Sequence, residues 1–154
     1  MTAEQVAELL RGSPLFADLD SAARLALARY GDEASFAPGA LLARDGWPAD
    51  RFYVLLEGTV ALEIHGPGCG PIPIEQLTVP EVVGWSWLMP PFQWHFDVRA
   101  VTAVRAIAIE AEALRVAMAE DSAFGLALMS RFARVLLQRL QATRMRLLAA
   151  TTDT

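Results

Sequence analysis

Lysine and asparagine are missing from these 154 residues, and cysteine occurs once, as Cys69. A single cysteine excludes an internal disulfide and a zinc site built on cysteines. With no lysine, arginine carries the positive side-chain charge, and the 27 alanines beside it suggest the codon bias of a GC-rich genome. Arginine enrichment is therefore no sign of phosphate recognition. No apolar run reaches 18 residues without a charge, which argues against a spanning helix. The first residues carry Glu4 where a secretory leader would be basic. We expect a cytoplasmic protein with no membrane contact.

Hydrophobic residues make up 54% and charged residues 20% of the chain. That is too apolar for a disordered polymer. The length fits one domain, which would bury about 68–70% of the surface of its unfolded chain. The net charge of −5 argues against a surface that binds nucleic acid as a whole. The average hides an asymmetry, because residues 121–148 hold five arginines against Asp121 alone, while residues 1–120 hold eight arginines and sixteen acids.

Along the chain, Thr2 and Gln5 have capping-box spacing before an apolar stripe of Val6, Leu9 and Leu10. Asp20 or Ser21 can cap a second helix over Ala22–Arg29, stopped by Gly31. From Ser35 to Ile109 the punctuation is that of strands. Turn pairs such as Pro38-Gly39, Glu57-Gly58 and Gly70-Pro71 separate short apolar runs at Ala40–Ala43, Arg51–Leu56, Thr59–Ile64, Ile72–Leu77, Phe96–Val101 and Val104–Ile109. Phe52–Leu62 predicts a hairpin closed by a two-residue Glu57-Gly58 loop. Helical signals return at Glu110 and break near Glu120-Asp121-Ser122. The last helix spans roughly 25 residues, about 38 Å. Met129, Phe132, Leu136, Leu140, Thr143 and Leu147 recur on it at coiled-coil spacing. The fold class is α+β and mainly β: N-terminal helices over 1–31, a jelly-roll or cupin-like β-roll (a double-stranded β-helix) over 35–109, and C-terminal helices over 110–148. All of it forms one domain, 1–154.

Several stretches resemble the cyclic-nucleotide-binding domain of the cyclic AMP receptor protein and its relatives. They are Ser13–Leu19, Phe52–Val60, Pro80-Glu81-Val82-Val83-Gly84, Val98-Arg99-Ala100 and Arg134–Thr143. The resemblance covers roughly residues 9–148. It implies a sensor domain with a ligand held by a cassette at 80–100, and a homodimer through residues 121–148. In the transcription regulators of this group a helix-turn-helix domain follows the long helix. Here about six residues follow it, so we expect a stand-alone regulatory domain without direct DNA binding.

The resemblance also implies what the cassette should contain. Family members place a Glu directly after the cassette glycine for the ribose, and an Arg further on for the cyclic phosphate. After Gly84 this chain has Trp85, and counting back from Val98-Arg99-Ala100 puts Trp94 and His95 at the phosphate position. No arginine lies between Met89 and Asp97 under any shift. An indole donates one hydrogen bond and carries no charge. Ordinary tight binding of cyclic AMP or cyclic GMP is therefore not expected, and no cofactor is.

Five of the chain's thirteen aromatics crowd into Trp85–Phe96. They either fill the old nucleotide space as core, or line a site for a flat, apolar or weakly polar ligand with Ser86 and His95 as polar handles. The candidate ligand-contacting set is Gly84, Trp85, Ser86, Trp87, Trp94, His95, Arg99 and Thr143. Arg99 matches the strand after the cassette, not the clamp. Thr143 aligns with a base-contacting helix residue, or sits in the dimer seam.

Other classes compete. Cupin enzymes share the barrel, but their metal sites need several converging His and carboxylate ligands, and only His65 and His95 are present. We expect no catalysis and no metal. A haem sensor would have to use His95 as its axial ligand. A ligand-free module could use the arginine-flanked helix to bind a protein partner.

Overall fold

The computed structural model describes residues 1–152. The first helix, α1 (Ala3–Arg11), starts where its cap dictates. The Thr2 hydroxyl accepts the Gln5 N–H at 3.1 Å, and the Gln5 side chain accepts the Thr2 N–H at 2.8 Å. Asp20 caps α2 (Ser21–Ala28) by accepting the Ala23 N–H at 2.7 Å.

Eight strands follow: β1 (Gly31–Phe36), β2 (Leu41–Ala43), β3 (Arg51–Glu57), β4 (Thr59–His65), β5 (Pro71–Thr78), β6 (Val82–Val83), β7 (Asp97–Ala100) and β8 (Val104–Glu110). They form two antiparallel four-stranded sheets, ordered β1-β8-β3-β6 and β2-β7-β4-β5. This is the expected β-roll. Strand β3 is covered on both sides. Phe52 faces the helical layer, while the Tyr53 hydroxyl donates to Leu42 O of the opposite sheet at 3.4 Å.

Two expectations change. Glu57-Gly58 does not close a hairpin: β3 pairs with β8 and β6, whereas β4 pairs with β5 and β7. The chain passes from one sheet to the other at Gly58, whose φ is +95° and whose Cβ, if it had one, would lie 2.3 Å from Ala103 O. Only glycine fits there. Gly31, expected as a helix stop, opens β1 instead and pairs with Ile109.

The last elements are α3 (Ala111–Glu120) and α4 (Ser122–Thr152). Asp121 separates them, its carboxylate accepting the Phe124 N–H at 3.2 Å. With 31 residues, α4 is about 46 Å long. Phe124, Leu128 and Phe132 are buried against the roll, and every residue from Leu140 to Thr152 is exposed. Phe132 therefore leaves the expected seam and joins its own core, edge-on to Phe52 at 5.2 Å. Met129, Leu140 and Leu147 stay on the surface. Among the described residues no helix is long and apolar enough to cross a membrane.

Candidate functional site

The site is built around the segment from β6 to β7. Strand β6 is tied to β3 by the pairs Tyr53–Val83 and Val54–Val82. Gly84 then turns the chain with φ +103°, and a Cβ there would come within 2.5 Å of Trp94 Cη2. Ser86–Leu88 make a single 3-10 turn. The loop that follows is pinned by the turn before β3. Trp94 N–H donates to Trp47 O at 3.0 Å, Gly46 N–H to Trp94 O at 2.9 Å and Ala49 N–H to Phe92 O at 2.7 Å.

The aromatic residues divide into two groups. Trp87, 1% exposed, stacks on Phe52 at 4.7 Å and meets Phe132 edge-on at 5.2 Å. It belongs to the packing between sheet and α4. Trp94, 4% exposed, leads through Phe96 (6.3 Å) to the half-buried Trp85 (5.9 Å). Neither buried indole presents a free ring face.

Over Trp85 lies a residue that the sequence reading did not single out. The Arg139 guanidinium of α4 sits 4.6 Å from the Trp85 ring centroid. Its Nη2 donates to Val82 O and stands 3.7 Å from a Glu81 carboxylate oxygen. Its side chain is only 15% exposed, and its Nη1 has no hydrogen-bond partner among the described residues. Burial pulls its pKa below the ordinary arginine value, with Glu81 and then Glu75 opposing the shift. For Glu81, burial pushes the carboxyl upward against the pull of Arg139. A cavity of about 500 Å³ opens beside this pair, between α4, the Pro14-Leu15 corner and Pro80–Val82.

A model of the cyclic nucleotide-binding domain matches residues 33–121, more than half of the sequence. The chain belongs to the cyclic nucleotide-binding domain family. A candidate cyclic nucleotide-binding protein of Geobacter metallireducens GS-15 is similar at 26% identity and TM-score 0.77, over 91% of this chain and 98% of that one. The N-terminal domain of a Streptomyces coelicolor A3(2) transcriptional regulator is similar at 29% identity and TM-score 0.69, over 88% and 94%. A cyclic nucleotide-binding domain from Methylobacillus flagellatus KT shares 19% identity, with TM-score 0.80 over 96% and 83%. A search of curated protein sequences finds no match.

In this cyclic nucleotide-binding domain the candidate residues separate by position. Gly84, Trp85, Ser86, Trp87 and Trp94 come together in the cassette, with Ser86 buried. His95 is exposed. Arg99 is engaged elsewhere, its Nε donating to Glu63 at 3.1 Å and its Nη1 to Gly39 O at 2.9 Å. Thr143 is exposed and accepts from Arg146 at 3.2 Å. Among the described residues no cluster of His, Cys, Asp and Glu could hold a metal.

The cassette's exit is fixed by a buried acid. Asp97 accepts the Asp45 N–H at 2.8 Å and meets His65 Nε2 at 2.8 Å. Burial works against its charge, but the Asp45 N–H and the His65 ring outweigh it and hold the carboxyl below its ordinary value. A signal for Arg139 existed in the sequence. Phe124, Leu128, Phe132 and Val135 recur at three- and four-residue steps toward the roll, and Arg139 is the next step on that face.

Proposed function

We propose that this chain is a regulatory sensor domain whose cassette has exchanged cyclic-phosphate recognition for a contact with its own long helix. The observation that supports this most is the Arg139–Trp85 contact. Two guanidiniums reach this segment: Arg139 of α4 is bonded to Val82 O, and Arg115 of α3 donates to Trp87 O at 2.8 Å and lies 4.0 Å from the centre of the Phe92 ring. The loop from Met89 to Asp97 supplies no cation. Arg115 and Arg139 are both committed to backbone carbonyls and ring faces, so a phosphate buried there would have to displace one of those contacts or stay without a partner charge, which costs several kcal/mol or more. Cyclic AMP and cyclic GMP accordingly bind weakly or not at all, and a different ligand uses the cleft between cassette and α4. Its occupancy would be read out through the docking of α4.

The domain acts as a dimer in this reading. Leu137, Leu140 and Leu147 are exposed on α4, and Met129, Leu136, Leu140 and Leu147 keep the coiled-coil spacing. A repeat of that kind is self-complementary, so the occupant is a second copy of the same helix.

Mass spectrometry of small molecules released by denaturing the purified protein tests the ligand reading. The expected extract holds no cyclic nucleotide. Release of cyclic AMP or cyclic GMP in proportion to protein would overturn it.

A further inference from the structure

We infer that Arg115 of α3 is a positioning residue: it joins the cassette loop to α3 as one unit, so the element that moves is α4 past Phe132. This names the responding part of the molecule and so rests on the functional reading above.

The unit is a closed ring of contacts. Arg115 Nη1 donates to Trp87 O at 2.8 Å, and the guanidinium lies 4.0 Å from the centre of the Phe92 ring. One turn earlier on the same face of α3, the Ala111 N–H donates to Asp50 O at 2.8 Å. Ala49, the neighbour of Asp50, donates its N–H to Phe92 O at 2.7 Å. Helix, turn and loop are thus joined in a circle that runs from Arg115 through Phe92, Ala49 and Asp50 back to Ala111. Trp94 N–H on Trp47 O and Gly46 N–H on Trp94 O add two ties to the same turn. Helix α3 is itself rooted in the core by Ala111 and Leu114, both fully buried. The loop cannot shift against α3 without losing several of these contacts together. The bond from Arg115 to Trp87 O is charge-assisted and the strongest kind among them.

The hold of α4 on the cassette is thinner. Phe132, the last buried residue of that helix, meets Trp87 edge-on. Past it, Arg139 is the side chain of α4 that hydrogen-bonds the cassette among the described residues, at Val82 O. Val135 is only half-buried. Arg134 meets Asp18 at 3.9 Å and Arg146 meets Glu75 at 3.7 Å, both half-exposed pairs of the kind that contributes little, and both outside 84–96. Undocking this part of α4 therefore breaks the Arg139 contacts and leaves the ring around Arg115 whole.

Segment-resolved hydrogen–deuterium exchange of the full chain tests this. Arg139→Gln is expected to speed exchange about tenfold in α4 past Phe132 and to leave 86–96 within about twofold of wild type, the scale of one charge-assisted hydrogen bond. Arg115→Gln is expected to do the reverse, loosening 86–96 and 46–50 and sparing α4. Arg115→Lys, which keeps a donor for Trp87 O, should restore most of the protection. Phe92→Leu, which removes the ring and keeps the arginine, should loosen the same loop and keeps the test valid if Arg115→Gln does not fold. Equal loosening of loop and helix in either arginine variant, no rescue by Arg115→Lys, or a loop unmoved by Phe92→Leu would overturn the inference. Protection of 84–96 on adding millimolar cyclic AMP would instead overturn the functional reading beneath it.

Discussion

The Arg139 guanidinium lies 4.6 Å from the centre of the Trp85 ring. The helix thereby caps the residue that stands directly after the cassette glycine. A cation over a partly desolvated indole contributes about 1–2 kcal/mol. Trp85→Leu should therefore lower stability by about 1 kcal/mol in urea unfolding. Combined with Arg139→Gln, it should show a coupling energy of at least about 0.5 kcal/mol in a double-mutant cycle. Strict additivity would remove the contact from the account.

Gly84 and Gly46 both have positive φ, but only Gly84 is crowded. Gly46→Ala should cost about 1–2 kcal/mol, the penalty for an L residue in that conformation. Gly84→Ala adds a methyl 2.5 Å from Trp94 Cη2, so it should cost a further 1–3 kcal/mol or so from overpacking. Equal losses of denaturation midpoint in the two variants would mean that Trp94 is not seated as described.

Asp97 supplies an acid limb to the stability profile. Its folded pKa is depressed, so the unfolded chain takes up its proton first as pH falls. The contribution is complete above the ordinary aspartate value and disappears as pH drops below it toward the folded value. Asp97→Asn should flatten that part of the profile in thermal unfolding at pH 2–5, an interval set by ordinary aspartate behaviour. A variant with the wild-type acid slope would place the slope elsewhere.

The legibility of this fold follows burial. Strands β3, β4 and β8 carry runs of buried residues and were readable as apolar stretches between turns. Strand β1 was not, because Gly-Asp-Glu-Ala-Ser-Phe lies at a sheet edge with Asp32, Glu33 and Ser35 turned outward or only partly covered. The Glu57-Gly58 turn looked like a hairpin because local turn chemistry cannot say which sheet the next strand joins. Phe132 looked like part of a seam because spacing along a helix does not show which face meets its own domain. The cassette was legible through Gly84 and the absent arginine. Arg139 was hidden by its company, since it is one of five arginines on α4 and only its place on the buried face marks it.

The exposed leucines of α4 give a prediction about assembly. Light scattering behind size exclusion should return twice the chain mass at micromolar concentration. Leu140→Glu, at a position 47% exposed in the single chain, should shift that to one chain mass with little loss of helical signal. A wild-type monomer would end the dimer proposal.

The central claim is the exchange of phosphate recognition for the Arg139–Trp85 contact, and calorimetric titration with cyclic AMP and cyclic GMP tests it most directly. The account predicts no saturable heat from either nucleotide up to about 1 mM, a binding free energy weaker than about −4 kcal/mol. A micromolar dissociation constant for either one would contradict it.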